Sequence, residues 1–571
     1  MRNDDRTKNN ISLEKFFRGL CIYMAAAFLL VFLVIPMGTL FVQAFLDKTG
    51  AFVGFSQFVD YFESGALVQS VKNTVYIAAI STVISVTLAF FFAYSLSRKC
   101  ISGKRVLKYI AMMPIYAPTM LLGIGLVYLF GNKGILTALG GSCSLYGKTE
   151  IIMAESLYCF PTALTILSVA FSNADNHLYE AADTMDTSPL RKMLTITLPN
   201  VKYGLISALF VAFTYSFTDF GAPSVVGGNY NVLATDVYKQ VIGQQNFNMG
   251  AVVGIILLIP AVLSFIVDRI VNQKQNASVN AKAVPYVIKP HKRSDFVAGV
   301  FCYAVAAGIV GFFLISLSAS LIKLWPYNLT FTLQNYDFSD VAAGKGVDAI
   351  RNSVLVAVVT AFVGTCITFL TAYMIEKSKG LRGIRSVTYF MSIAPLAIPG
   401  TVIGLSYILF FNKTQFAIPF TQYALVSPFH GLYGSMWILV FANIIHYYSV
   451  PFTTATTALK KLDREFEAVG EAMGVPFLKT FFRVTVPLCF PAISEMLVYY
   501  FVNAMVTISA VVFLYSPSFT IASVTIVNLE GAGDIEKAVA MCMTILAINI
   551  VLRLVYETTL DIYVKRKKNN G

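Results

Sequence analysis

The chain has 571 residues, 57% of them hydrophobic and only 13% charged, against about 25% charged in a soluble domain. The apolar residues are gathered into blocks of bilayer length, which excludes a soluble globular protein. The net charge of +13 does not mark a nucleic-acid binder. Lys and Arg concentrate in alternate loops between the blocks, as on the cytoplasmic side of membrane proteins.

The first block runs from Leu20 to Leu46, with Gln43 its one strongly polar residue. A helix needs about 20 apolar residues to cross the hydrocarbon core. Arg2, Arg6, Lys8, Lys15 and Arg18 precede the block. It is far longer than the roughly 7–15 residues of a secretory signal core, so it reads as an anchored first span. Blocks this long and uniform also exclude a transmembrane barrel, whose segments alternate over about 10 residues. The expected fold class is all-α integral membrane. Twelve spans are predicted, the first six near 20–46, 73–97, 106–130, 150–172, 203–222 and 249–269. The second six lie near 296–322, 352–375, 387–411, 432–452, 488–514 and 538–560. With Met1 inside, the cytoplasmic segments hold most of the basic residues, among them Arg98, Lys99, Lys104 and Arg105, then Lys377, Lys379, Arg382 and Arg385, then Lys565–Lys568. That bias puts both termini in the cytoplasm, and part of the charge faces anionic lipid. The eight cysteines form no CxxC pair, so neither a metal site nor a disulfide framework is expected.

The chain is written twice. "SVKNTVYIAAISTVISVTLAFFFAYSLSRK" (70–99) resembles "AIRNSVLVAVVTAFVGTCITFLTAYMIEKS" (349–378), pairing Asn73 with Asn352. Pro114, Pro118 and Gly123 recur as Pro395, Pro399 and Gly404. An even number of spans per half makes the repeat parallel, with a pathway expected between the halves. The divisions are 1–271, a cytoplasmic linker over 272–295, and 296–571. The linker is polar, basic and aperiodic, and is expected to tether the halves, with a regulatory role as the lesser alternative.

Between spans four and five, loop 173–202 holds "EAADTMDTSPLRKMLTITLP" (180–199). Glu180, Ala181 and Ala182 start a helix; Thr187-Ser188 then cap a second one, with Pro189 at its first position. Leu190, Met193 and Leu194 form an apolar stripe. The segment recurs in loop 453–487, where Leu478, Phe481 and Phe482 keep the stripe and Pro487 matches Pro199. An amphipathic helix outside the bilayer lies on lipid or docks on a partner. Two copies at equivalent positions favour two equivalent partner sites.

The segment resembles the EAA loop of ATP-binding-cassette (ABC) importer permeases. The match is at Glu180, Ala181, Ala182, Leu198 and Pro199; Asp186 stands where the family has Gly. The second copy keeps Gly474 and Pro487, but Glu467 is displaced by one residue and Val469-Gly470 replace the alanines. The six-plus-six duplication resembles the fused permeases of ferric-iron, thiamine and 2-aminoethylphosphonate importers, most of all the last. The resemblance implies a type I ABC importer permease in a bacterial inner membrane. It implies no cofactor on this chain, and ATP used by a separate ATPase, in two copies, that grips these loops. It also implies a solute-binding protein on the outer side and no nucleic acid. "GGSCSLYGKT" (140–149) is not a P-loop, having one residue too many between its glycines.

For the pathway, ionisable and polar groups in spans are the candidates. Asp219, in "FTYSFTDFGAPSVVGGNYN" (213–231), is either a solute or gate residue or an acid bonded to nearby backbone amides. Asn503 and Thr507, the latter aligned with Asp219, are pathway groups or helix–helix contacts. Glu155 and Glu495 are further intramembrane acids. The outer segment looks most like aminoethylphosphonate permeases, with ferric iron and thiamine as alternatives. An ion-coupled carrier of the major facilitator type would also have six plus six spans, but "SRKCISGKRVLKY" (97–109) lacks its acidic signature. An enzyme would need clustered acids or histidines; His177, His291, His430 and His446 are dispersed.

Overall fold

The computed structural model describes residues 19–131, 134–138, 147–173, 175–278, 284, 286–341, 344–378, 380–417, 424–463, 469–470, 473 and 475–569. Among them, regular structure is helical apart from two small hairpins, Ile322–Leu324 with Asn328–Phe331 and Gln415–Ala417 with Ala424–Val426. Eight helices are long and apolar enough to cross a membrane: Gly19–Gln43, Gly65–Arg98, Lys148–Ser172, Pro189–Thr218, Phe247–Val271, Lys292–Ser320, Gly346–Lys377 and Ile535–Ile562. Four bent pairs bring the number of spans to 12 if each pair is counted as one.

The bends correct three of the expected straight spans, and the fourth falls at the start of the span expected near 488–514. Lys104–Tyr116 turns into Thr119–Phe130 through 100°, and Arg382–Ala397 into Gly400–Phe411 through 114°. The cause is the repeated proline. A residue before Pro is driven out of the helical region, and Ala117 and Ile398, which precede Pro118 and Pro399, are both extended. Met436–His446 bends by 57° into Ser449–Lys461, and Phe477–Leu488 by 77° into Phe490–Val506. Span five is corrected in the other direction. It is one helix with the segment before it, because Pro199 sits just past a π-helical turn, Met193–Thr197, instead of breaking the chain. Its end is early, at Thr218, and span eleven ends at Val506, since Asp219 and Thr507 are both extended.

Chain contacts gather into two compact units: residues 1–52, 339–525 and 547–571 in one, 53–338 and 526–546 in the other. These packing units are a different division from the sequence repeat. In the first unit the helix Gly19–Gln43 lies on Gly400–Phe411, with Phe32 against Phe441 at 4.3 Å and Phe411 at 5.8 Å between ring centroids. Pro36 has no N–H to offer the Phe32 carbonyl one turn earlier, and the Tyr407 hydroxyl donates to that carbonyl instead, at 2.7 Å. In the second unit Lys292–Ser320 takes the equivalent place beside Thr119–Phe130. A half-span of 12 residues has little surface of its own to bury, and each is completed by a first helix from the other sequence half. Gly123 and Gly404 let these half-spans approach the segment after Asp219 or Thr507. A Cβ there would meet the Ala222 carbonyl at 3.3 Å or the Ala510 carbonyl at 2.6 Å.

Candidate functional site: two coupling loops

The long helix of each unit carries polar contacts at both ends. In the second unit, Gly65–Arg98 ends at Arg98, which is buried and donates from its guanidinium to the Phe171 carbonyl at 2.9 Å. The same guanidinium lies over the rings of Tyr286, Tyr179 and Phe171, at 4.2, 5.1 and 5.7 Å from their centroids. Tyr179 thereby ties the first loop to the end of the helix, and its hydroxyl donates to Thr197 Oγ1 at 3.1 Å.

The loop opens with the helix Asn176–Thr184, capped by Asp175, whose carboxylate accepts the His177 N–H. Glu180 is exposed and held within its own helix: Asn176 Nδ2 donates to Oε1 at 2.7 Å, and His177 Nδ1 lies 3.6 Å from Oε2. Ala181 is exposed and Ala182 buried. The helix closes as a Schellman turn: the Thr187 N–H reaches the Ala182 carbonyl at 3.0 Å, and Asp186 has a positive φ of 47°. The glycine of the family pattern would occupy this position, where left-handed backbone is needed; Asp tolerates that backbone better than most side chains. Ser188 then caps Pro189–Lys192, its hydroxyl accepting the Arg191 N–H. Leu190 and Leu194 are exposed, Leu198 is half-buried and Pro199 exposed. Asp183 receives Lys192 Nζ at 2.5 Å and Lys289 Nζ at 2.8 Å. These ammonium groups, Lys192 first, hold its carboxyl below the usual range.

The second loop repeats the build on the other unit. Lys377, at the end of Gly346–Lys377, donates to the Leu462 carbonyl at 3.0 Å. The Val475 N–H reaches the Gly470 carbonyl at 2.9 Å, repeating the Thr187–Ala182 bond. A π-helical turn, Phe481–Thr485, again precedes the proline, Pro487. Leu478 and Phe482 are exposed, as are Met473 here and Met185 in the first loop. The anchoring differs, for Phe477 and Phe481 pack on the Tyr373 ring at 5.2 and 4.8 Å. Glu467 and Gly474 lie outside the described residues, as does most of 140–149.

Residues 85–276 match the family described as binding-protein-dependent transport system inner membrane component. Over those residues the chain is similar to the permease subunits of ABC importers. A ferric transport system permease protein, FbpB, of Actinobacillus pleuropneumoniae is 24% identical over 92% of this permease and 76% of its own length. The Fe(3+)-transport system permease protein FbpB 2 of Haemophilus influenzae is 22% identical over 90% and 93%. Among solved structures, a bacterial ABC transporter that imports alginate covers 49% of the permease with all of its own chain, at TM-score 0.38 and 17% identity.

The opposite ends of the two long helices are also matched. Asn73 Nδ2 donates to the Asn231 carbonyl at 2.9 Å, and Thr74 Oγ1 accepts the Leu233 N–H at 2.9 Å. Asn352 and Ser353 repeat both bonds with the Thr520 carbonyl, at 3.0 Å, and the Ala522 N–H, at 2.7 Å. Asn73 and Arg98 are about 38 Å apart along one helix, so this end of the helix is remote from its loop. Asp219 accepts the Ala222 N–H at 2.9 Å, which matches the backbone-bonded alternative; the buried Glu155 lies beside it. Asn503 donates into its own helix, to the Tyr499 carbonyl at 2.7 Å, and the Thr507 hydroxyl bonds that of Tyr447. Glu495 pairs with Arg553 at 3.1 Å. The structure thus gives Asn503, Thr507 and Glu495 partners within the protein.

Sequence reasoning missed Arg98, Tyr286 and Asn176. In the sequence Arg98 is one more basic residue of a cytoplasmic loop; its position at the last turn of a long apolar helix is the available signal.

Proposed function

We propose that this permease forms the pathway for a small solute, with its two loops on the cytoplasmic side gripped by two copies of a separate ATPase. An extracytoplasmic binding protein delivers solute to the opposite end. ATP-driven closure of the ATPase pair moves both loops, and the long helices carry that motion across the membrane. The observation that supports this reading is the shared build of the loops. Each has a Schellman-type bond, exposed apolar side chains, a π turn and a proline, at the end of an equivalent long helix.

For the solute we propose 2-aminoethylphosphonate. A cavity of ≈ 480 Å³, at the end remote from the loops, is lined by Lys239 and Glu530 with Tyr230 and Tyr238. Lys239 donates to Asn231, and among the described residues no cation pairs with Glu530. Burial raises the Glu530 carboxyl above its ordinary value, a cost that an arriving ammonium group would offset. One ammonium and one carboxylate, not neutralising each other, suit a solute with an anionic and a cationic end. The names of the ferric relatives favour iron as the second reading.

One experiment tests both levels: ATP hydrolysis by the reconstituted permease, ATPase and binding protein with each solute. Stimulation by 2-aminoethylphosphonate and not by ferric ion is expected, and the reverse would establish the iron reading. Glu180→Lys and Ala181→Asp, both exposed, are expected to abolish stimulation while the permease remains folded. Unchanged stimulation in both would remove the coupling assignment.

A further inference from the structure

The linker is expected chiefly to tether the halves, yet Val284 and Tyr286–Lys289 are bound along the first coupling helix. The Asn176 N–H donates to the Val284 carbonyl at 2.9 Å, and the Val284 N–H returns a bond to the Asp175 carboxylate at 3.2 Å. The Val287 N–H reaches Asn176 Oδ1 at 3.2 Å. Tyr286 turns inward, its ring 4.9 Å from that of Tyr179, edge to face, and stacked over the Arg98 guanidinium. Further along, Lys289 closes on Asp183.

We propose that this part of the linker is a brace that sets the angle of the first coupling loop and enters the face it offers to the ATPase, making the two ATPase sites inequivalent. The proposal rests on the coupling reading above. Three features carry it. Asn176 is buried and bonded on both sides, joining the Val287 backbone to the Glu180 carboxylate. Glu180 therefore takes its direction partly from the linker. Arg98 connects the brace to the end of the long helix, so a movement of that helix is passed to loop and linker together. Finally, Val287 is 59% exposed on the coupling helix, whose Met185 is 78% exposed, so linker and loop present apolar surface to the same partner. The chain has one inter-half linker, and the second loop is anchored instead by Phe477 and Phe481 on Tyr373.

The test uses the full permease with its ATPase, the exposed native cysteines replaced, and a cross-linking cysteine at either loop, Met185→Cys or Met473→Cys. In the unaltered linker both positions are expected to cross-link to the ATPase. Tyr286→Ala with Lys289→Glu is expected to lower the yield at 185 about tenfold, a loss of about 1.4 kcal/mol, and to leave 473 unchanged. Tyr286→Phe keeps the ring and is expected to keep the yield. An equal fall at both positions would show a general loss of fold and overturn the brace, as would no fall at either. No cross-link at either position with the linker intact would overturn the coupling reading itself.

Discussion

Asp186 shows how a departure from a motif can preserve its geometry. The position needs left-handed backbone, which costs a side chain about 1–2 kcal/mol, least for Asp or Asn. Asp186→Gly is therefore expected to leave ATPase affinity unchanged or slightly raised. Asp186→Val, branched at Cβ, is expected to weaken it about tenfold, measured as the dissociation constant of the ATPase from the detergent-solubilised permease. The EAA residues were legible as a motif, and the helix from Glu180 follows from local propensity. That Ala181 is exposed while Ala182 is buried depends on what lies beneath the helix. So does the environment of Arg98, whose aromatic partners come from three separate segments.

Elements bend where the sequence places proline, but the sequence did not reveal how each bend is resolved. Pro118 and Pro399 produce turns of 100° and 114°, whereas Pro199 is absorbed by a π turn within a continuous helix. The difference lies in whether freed backbone groups find partners, which a one-dimensional pattern does not contain. The short helices Leu233–Tyr238 and Ala522–Ala532 are fixed in the same way, each held at its first residue by a bond to a neighbouring long helix. Thr74→Val leaves the buried Leu233 N–H without its acceptor, and Ser353→Ala does the same to Ala522. A loss of about 1–3 kcal/mol is expected in each case, of similar size because the two contacts are repeats. Thermal unfolding in detergent measures it, and a loss in one variant alone would show that the repeat is unequal here.

At the scale of the molecule, the repeat read from sequence and the packing units are distinct. Each half-span created by a proline bend is covered by the first helix of the other sequence half. Tyr407, which donates to the carbonyl freed by Pro36, belongs to that covering contact. Tyr407→Phe keeps the ring and removes the donor, so a loss of about 1 kcal/mol is expected, read as a lower unfolding temperature. That the chain is helical, built of membrane-length blocks, duplicated and equipped with two polar loops of one design is legible in the sequence. Apolar block length, charge bias and repeated motifs are properties of the covalent chain. Which spans bend, which helices complete which unit, and that residues 284 and 286–289 lie on the first loop are properties of the tertiary structure. Those outcomes depend on backbone groups and aromatic faces finding partners hundreds of residues away, and hydropathy and spacing carry no record of that pairing.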